Sequence, residues 1–424
     1  MLHINYIREN TKLVLEGLKK RHLTDADELI LNIINSDKER RLKQVKRDES
    51  VAWVKQMSAQ IGGLIKEGKK EEAEKLKLSV SQKKDGINLL EEAVKSEELK
   101  LQDLLYAIPN IPDASVPQGK GTDDNLVVFE AGSSPQLPPD ATPHWDLIKK
   151  YNIIDFDLGN KISGAGFPVY IGKGAKLQRA LIQFFLDEAS KQGYLEIQPP
   201  ILVNEASAFG TGQLPDKEGQ MYHINDDNLY AIPTAEVPLT NIYRDEILSE
   251  DSLPVKLVGY TPCFRREAGS WGSHVRGLNR LHQFDKVEIV HITKPEDSYQ
   301  TLEEMSSYVQ SLIEKLNLPY RKLLLCSGDL GFNSSKTFDM EVYATAQQRW
   351  LEVSSVSNFE SFQSNRLRLR YKNKEGKVQL LHTLNGSALA LPRIVASILE
   401  NNQTPKGITI PKALIPYTKF DIID

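Results

Sequence analysis

The stretch FRREAGSWGSHVRGLNRLHQFDKVE, residues 264–288, carries four arginines, Arg265, Arg266, Arg276 and Arg280, around a glycine-rich loop. An apolar and acidic run from Phe284 to Glu288 closes it. The pattern reads as strand, basic loop, strand. On a strand beginning at Phe264, Arg265 and Glu267 share one face and Arg266 points to the other. An arginine and a glutamate side by side can grip two ends of one ligand. The guanidinium bonds a phosphate or carboxylate through two parallel N–H groups. The carboxylate, or backbone near it, accepts from an exocyclic amine such as that of adenine. Phe284 on the returning strand offers a ring for base stacking, and Arg276 and Arg280 could reach terminal phosphates. Taken alone, a surface hairpin with an Arg–Glu cross pair accounts for the same residues.

Two further elements favour nucleotide handling. In LNGSALALPRIVASILENN, residues 384–402, a Gly/Ser turn is expected to lead into a helix. Pro392 suits its first turn, and Arg393 sits where the helix dipole favours anions. In the segment Trp350 to Ser355, Glu352 and Ser355 offer hard oxygens to a Mg²⁺ ion between phosphates. No GxxxxGK[ST] loop occurs, and no GxGxxG follows a strand, so a bound nucleotide must rely on arginines. Neither HxGH nor HExxH occurs among the eight histidines. His274, His282 and His382 read as packing or surface residues, and Trp271 has no evident role. The two cysteines, Cys263 and Cys326, lie outside any CxxC pair, which leaves no cysteine zinc cluster and no disulfide framework. Both are expected as small buried residues.

Something must position these groups. The 424 residues, 40% hydrophobic and 26% charged with a net charge of −4, read as a soluble globular chain of two or three domains. Residues 1–107 form a helical cap and an arm, residues 108–140 a proline-broken linker, and residues 141–424 a mixed α and β domain. In the arm, Ala73, Leu76, Val80, Ile87, Leu90, Val94, Leu101 and Leu104 follow steps of three and four, with Lys83 and Glu97 on the same seam. That is a heptad repeat. Val54, Met57, Ile61 and Leu64 repeat the steps before the polar turn KEGKK at 66–70. Two helices so joined run antiparallel, and at thirty-odd residues each would extend roughly 45 Å. Residues 38–84 hold fourteen Lys/Arg against seven Asp/Glu, whereas 85–103 hold two lysines against six acids. The basic half is either a solvated face or a contact for a phosphate backbone. No signal segment and no apolar run of spanning length is apparent, which makes the cytoplasm the expected location and a membrane partner unexpected.

In combination these features resemble class II aminoacyl-tRNA synthetases, and within them the seryl-tRNA synthetases of bacterial type. PPILV at 199–203 resembles motif one, which packs that family's dimer interface. Residues 264–288 resemble motif two, and LNGSALALPRIVASILENNQ resembles motif three. TAEVPL at 234–239 resembles the serine-binding loop, and the hairpin resembles the tRNA-binding arm. The resemblance implies an α+β fold: an antiparallel-sheet catalytic domain with an N-terminal antiparallel two-helix coiled-coil arm. It implies ATP with Mg²⁺, no zinc, L-serine, serine tRNA and a homodimer, and it allows selenocysteine tRNA as a further acceptor.

By the same resemblance, Arg265 and Arg393 are catalytic. Arg265 holds the α-phosphate and the serine carboxylate, with Arg266 also in the ATP site. Glu267 reads the adenine, Phe284 stacks on it, and Arg280 and Arg393 hold the γ-phosphate. Glu352 and Ser355 bind Mg²⁺ and phosphates beside Val353 and Ser354. Thr234, Ala235, Glu236, Glu288, Asn385 and Ser387 form the serine pocket, with Glu236 near the ammonium. Lys43, Lys46 and Arg47 on the arm grip RNA. The chain departs from motif three at Ala388 and Pro392, where the family usually has glycine. Two rivals remain: a ligase that charges a carrier protein by the same adenylate chemistry, and a non-catalytic coiled-coil binding protein. The basic arm argues against the first, the intact Arg265, Glu267, Glu352 and Arg393 against the second.

Overall fold

A computed structural model describes residues 1–216, 218–267 and 276–424. Trp271 and His274 lie outside the described residues. The chain divides into two compact units, Met1–Pro109 and Asn110–Asp424.

The first unit is helical: α1 Ile4–Glu9, α2 Thr11–Lys20, α3 Ala26–Lys66 and α4 Lys70–Ala107. The hairpin begins at Ala26. Its helices hold 41 and 38 residues, so each spans about 60 Å, longer than expected. Gly68 turns the chain between them at φ +78°, a conformation that favours glycine. Ala73, Val80, Ile87, Val94 and Leu101 are buried at seven-residue intervals along α4, while Leu76, Leu90 and Leu104 are half-buried beside them. The narrow seam is what two helices packing only on each other can bury. At the foot of α3, Asp37 is fully buried and held by Arg8, Arg40 and Arg41 at 2.9–3.0 Å. Burial alone would raise its carboxyl. The Arg40 hydrogen bond and the three guanidinium charges outweigh that and hold it below the usual carboxylate range.

The second unit is built on an eight-stranded sheet. In chain order its strands are β1 Leu126–Ala131, β2 Leu195–Glu196, β3 Val255–Phe264, β4 Gln283–Thr293, β5 Tyr320–Leu324, β6 Lys336–Ala344, β7 Arg349–Asn358 and β8 His382–Ala390. Across the sheet they lie β1-β5-β6-β7-β8-β4-β3-β2. All pairs are antiparallel except β2 with β3. The expected α+β class and antiparallel sheet are present. Helices α5 His144–Lys150, α6 Lys173–Lys191, α7 Glu236–Asn241, α8 Ser298–Lys315 and α9 Leu391–Asn401 surround it. One large apolar core joins α6, α8 and α9 to the inner face of the sheet, through Leu181, Phe185, Val309, Leu312, Ile394 and Leu399. Cys263 and Cys326 are free and buried. No helix among the described residues is long and apolar enough to cross a membrane.

Three local expectations fail. Residues 126–131, placed in an irregular linker, form the sheet's outer strand β1. Gly386 and Ser387 are not in a turn: β8 runs straight through them, and a Cβ on Gly386 would come within 3.1 Å of Val356. Strand β3 stops at Phe264, so Arg265 to Glu267 lie beyond it and do not alternate.

An acid gripped by three arginines stabilises the folded state only while ionised. Its folded pKa is depressed, so that stability is present above the unfolded pKa of about 3.9 and is lost as pH falls through the lower folded value. Hydrogen exchange across residues 4–40 should therefore accelerate below about pH 4. Asp37→Asn should show that fast exchange already at neutral pH; unchanged protection would refute the assignment.

Candidate active site

Strand alternation sets the floor of the site. On β4, Phe284, Lys286 and Glu288 share one face, while Val287 and Ile289 turn into the core. The register sets Glu288 opposite Ser387, and Gly386 opposite both Ile289 and Val356. A cleft opens above this face, lined by Arg265, Glu267, Arg280, Phe284, Glu352 and Arg393, with Val353 and Ser354 beside them. It continues through Arg265, Lys286 and Ser387 into a larger polar hollow lined by Thr234, Glu236, Ser355 and Asn385. The Arg265 guanidinium lies 5.2 Å from the Phe284 ring centre, a cation–π distance. Glu267 has left-handed backbone at φ +48° and pairs with Arg280. That turn, not strand alternation, brings Arg265 and Glu267 into one cavity. Arg393 donates to the Glu352 carbonyl at 2.6 Å and to the Asn279 carbonyl at 3.3 Å.

Glu352 and Ser355 are three residues apart, which on an unbroken strand puts them on opposite faces. A bulge resolves this. Met340 pairs with Ser354 and Glu341 with Glu352, so Val353 is skipped and the alternation resets. Across the sheet from Ser355 stands Asp339. Burial first, and then the Glu352 charge, push its carboxyl well above the usual range. Its Oδ1 is buried without a hydrogen-bond partner.

The serine-loop residues divide. Glu236, the first residue of α7, is buried, and accepts from Gln363 Nε2 at 2.6 Å and Asn385 Nδ2 at 2.9 Å. Asn385 also donates to Glu288 at 2.8 Å, and Lys286 Nζ lies 2.8 Å from the other Glu288 oxygen. Burial, then the Glu288 charge, push the Glu236 carboxyl up to about 7 against the Gln363 hydrogen bond and the charges of Lys286 and Arg265.

Comparison with known proteins places this geometry. The description "Seryl-tRNA synthetase N-terminal domain" fits residues 1–112, and "tRNA synthetase class II core domain (G, H, P, S and T)" fits residues 220–402. A serine–tRNA ligase of Salinibacter ruber is 50% identical over 99% of this chain and 98% of its own length. One from Prosthecochloris aestuarii is 45% identical over 100% and 99%. The chain belongs to the seryl-tRNA synthetase family. Among solved structures, the Pyrococcus horikoshii seryl-tRNA synthetase complexed with ATP superimposes with a TM-score of 0.92 at 33% identity, covering 100% of this chain and 99% of its own. A cytoplasmic serine–tRNA ligase of Naegleria fowleri in complex with AMP gives 0.87 at 26%, with the same coverage.

Against the motifs of that family, three residues fall away from the cleft. Arg266 is exposed and lines neither hollow; its backbone N–H donates to Gln220. Arg276 stacks on Trp145 at 4.8 Å and faces Asp146. Ala235 is fully buried in an apolar cluster with Leu239 and Leu257, so it offers no side chain to a ligand. Ala388 is a buried strand residue, and Pro392 stands in the first turn of α9 lining the cavity. His282 is bonded to Tyr222 at 2.9 Å and His382 to Ser298 at 2.8 Å; burial pushes His382 down to about 4. Both are packing groups. Sequence reasoning missed Lys286 and Gln363. Lys286 was available from the alternation Phe284, Lys286, Glu288; Gln363 had no such signal.

The Glu236 carboxyl should titrate near pH 7. Infrared difference spectra across pH 5–9 should show a protonated carboxyl band that disappears upward through about 7. Glu236→Gln should abolish the band, and Glu288→Gln, by removing the neighbouring charge, should move the transition to lower pH. No carboxyl band in that window would overturn the assignment.

Proposed function

We propose that this cleft holds ATP and serine side by side, and that the residues named above divide the work of forming seryl-adenylate. Ligation of serine to tRNA is the activity of the family and of this chain. The observation that carries the residue-level reading is the convergence of Arg265, Glu267, Arg280, Phe284, Glu352 and Arg393 on one cleft that runs directly into the hollow lined by Thr234, Glu236, Asn385 and Ser387.

Adenine stacks on Phe284 with Glu267 at its edge. Arg265 lies where the two hollows meet, and so reaches both the α-phosphate and the serine carboxylate. Arg280 and Arg393 hold the terminal phosphate; their present partners, Glu267 and backbone carbonyls, keep them extended until phosphate oxygens take over. Glu236 receives the serine ammonium, with Thr234, Asn385, Ser387 and Glu288 around the side chain. Among the described residues no cluster of three metal-ligating side chains occurs, and a Mg²⁺ ion would be held by Glu352 and Ser355 beside the phosphates. Glu352 and Ser355 fit it: both are hard donors on one face, and the unpartnered Asp339 oxygen lies behind them. When bound, the ion neutralises phosphate charge.

The serine carboxylate oxygen attacks the α-phosphorus, the acyl–phosphate bond forms and pyrophosphate leaves. A ribose hydroxyl at the tRNA 3′ end then attacks the acyl carbon, and AMP departs. Arginines that align and neutralise suffice for the first step, with no protein base required. A pocket that bonds the serine hydroxyl leaves polar groups unpaired when alanine enters, which costs alanine heavily.

The wider assignment is residues 1–107 as tRNA arm, 108–140 as linker and 141–424 as catalytic domain. The working state is a homodimer in the cytoplasm. The outer strand β2 and the exposed Ile201 and Leu202 beside it support a second copy at motif one. On the arm, Lys43 is tied to Glu97 at 2.7 Å, and Arg47 stands beside Asp48. Lys46 is exposed and has no such partner among the described residues, which makes it the strongest candidate for RNA contact of the three.

Serine-dependent pyrophosphate exchange and tRNA charging test the scheme together. Arg265→Ala should lower exchange by about 10²-fold or more. Lys46→Glu should weaken charging several-fold and shallow its salt dependence while leaving exchange intact. Exchange untouched by Arg265→Ala, or lost equally with charging in Lys46→Glu, would overturn the respective role.

A further inference from the structure

Arg280 and Arg393 work only if the turn between them is fixed. That turn, Gly277–Asn279, is pinned from behind by groups the scheme above does not use. His144 and Glu400 are both fully buried, 2.7 Å apart from His144 Nδ1 to Glu400 Oε1. His144 Nε2 accepts from the Leu278 backbone N–H at 3.0 Å. With Nε2 an acceptor, the proton sits on Nδ1 and is donated to Glu400. A second path runs parallel. Glu400 accepts from Gln347 Nε2 at 2.9 Å and from Gln347 N at 3.1 Å, and Gln347 Oε1 accepts from Asn279 Nδ2 at 3.2 Å. The Asn279 carbonyl in turn accepts from Arg393. Helix α9 carries both Arg393 and Glu400, and so holds the turn at two points.

We infer that His144 and Glu400 are positioning residues for nucleotide binding: they hold the Gly277–Asn279 turn so that Arg280 and Arg393 present a fixed phosphate clamp. Gly277 stands at φ +66°, and a Cβ there would meet His144 Nε2 at 2.4 Å. The turn is thus fitted to the imidazole and leaves no room for another residue. A buried carboxylate without its partners is costly, which explains why Glu400 is satisfied on both oxygens. The role extends only to the ATP side. The serine hollow is held by a separate set, Gln363, Asn385 and Lys286, which shares no hydrogen bond with this network.

The inference rests on the reading of the cleft as the ATP site, and the test separates the two. In pyrophosphate exchange with the full-length enzyme, His144→Ala should raise the ATP KM about tenfold or more and leave the serine KM within about twofold. A merely structural role would reduce the active fraction and leave both KM values alone, or shift both alike. His144→Gln, whose amide oxygen can accept from Leu278, should recover most of the loss. If His144→Ala does not fold, Gln347→Ala, which cuts the second path at its partly exposed end, should give the same ATP-selective rise. Arg280→Ala is measured in parallel. Normal ATP use in Arg280→Ala would sink the nucleotide reading and the positioning role with it. Loss in Arg280→Ala with unchanged ATP KM in the His144 and Gln347 variants would overturn the positioning role alone.

Discussion

The site depends on the register between β4 and β8. Because side chains alternate with a period of two, Phe284, Lys286 and Glu288 share one face of β4, and the pairing of Glu288 with Ser387 sets Asn385 and Ser387 on the same face of β8. A slip of one residue would bury these polar groups in the core and lift Val287 and Ile289 into the cleft. Gly386 is the point at which this register is locked, since β4 and β7 both close on it and Val356 leaves little room above its Cα. The β7 bulge is the complementary device. It breaks the alternation once, at Val353, and so delivers Glu352 and Ser355 to the same face without disturbing the pairing on either side.

Charge in the cleft is arranged in two regimes. On the side proposed for the phosphates the arginines are partly exposed and held by groups they can leave: Glu267 for Arg280, carbonyl oxygens for Arg393. On the side proposed for serine the carboxylates are buried and bonded, Glu288 by Lys286 and Asn385, Glu236 by Gln363 and Asn385. The first arrangement suits a polyanion that arrives and departs. The second suits a small zwitterion whose hydroxyl must be discriminated, because fixed donors and acceptors penalise a misfit more than mobile ones do. Arg265, which lines both hollows, is where the two regimes meet.

Much of this was legible in the residues. The heptad spacing marked the arm as a coiled coil, and the short turn at 66–70 made it an antiparallel hairpin. Composition also pointed to arginine in place of a glycine cradle. The failures have a common origin in backbone geometry that side-chain type does not report. Arg265 and Glu267 were paired by strand alternation, but they meet through a left-handed residue past the end of β3. Arg266 and Arg276 have the right chemistry and the wrong direction; Trp145 supplies a competing face for the second. Ala235 was carried with its loop, although a fully buried alanine can only pack. Residues 126–131, Leu-Val-Val-Phe-Glu-Ala, are a β-prone run, and the prolines before and after them masked the strand inside the linker.

The groups hardest to see in sequence are those that hold the site from behind. His144 and Glu400 are 256 positions apart, and neither belongs to a run with an evident period or charge pattern. Their importance follows from a general requirement. A clamp of arginines gains from preorganisation only if the backbone between them cannot relax when the phosphate leaves. Exposed arginine pairs cannot supply that rigidity, since long side chains in water exchange partners at little cost. A buried imidazole–carboxylate pair can, because releasing either member strands a polar group in the core. The cleft therefore places its mobile charges in front, toward the ligand, and its immobile ones one layer behind, and the turn at Gly277–Asn279 is the seam where the two layers join.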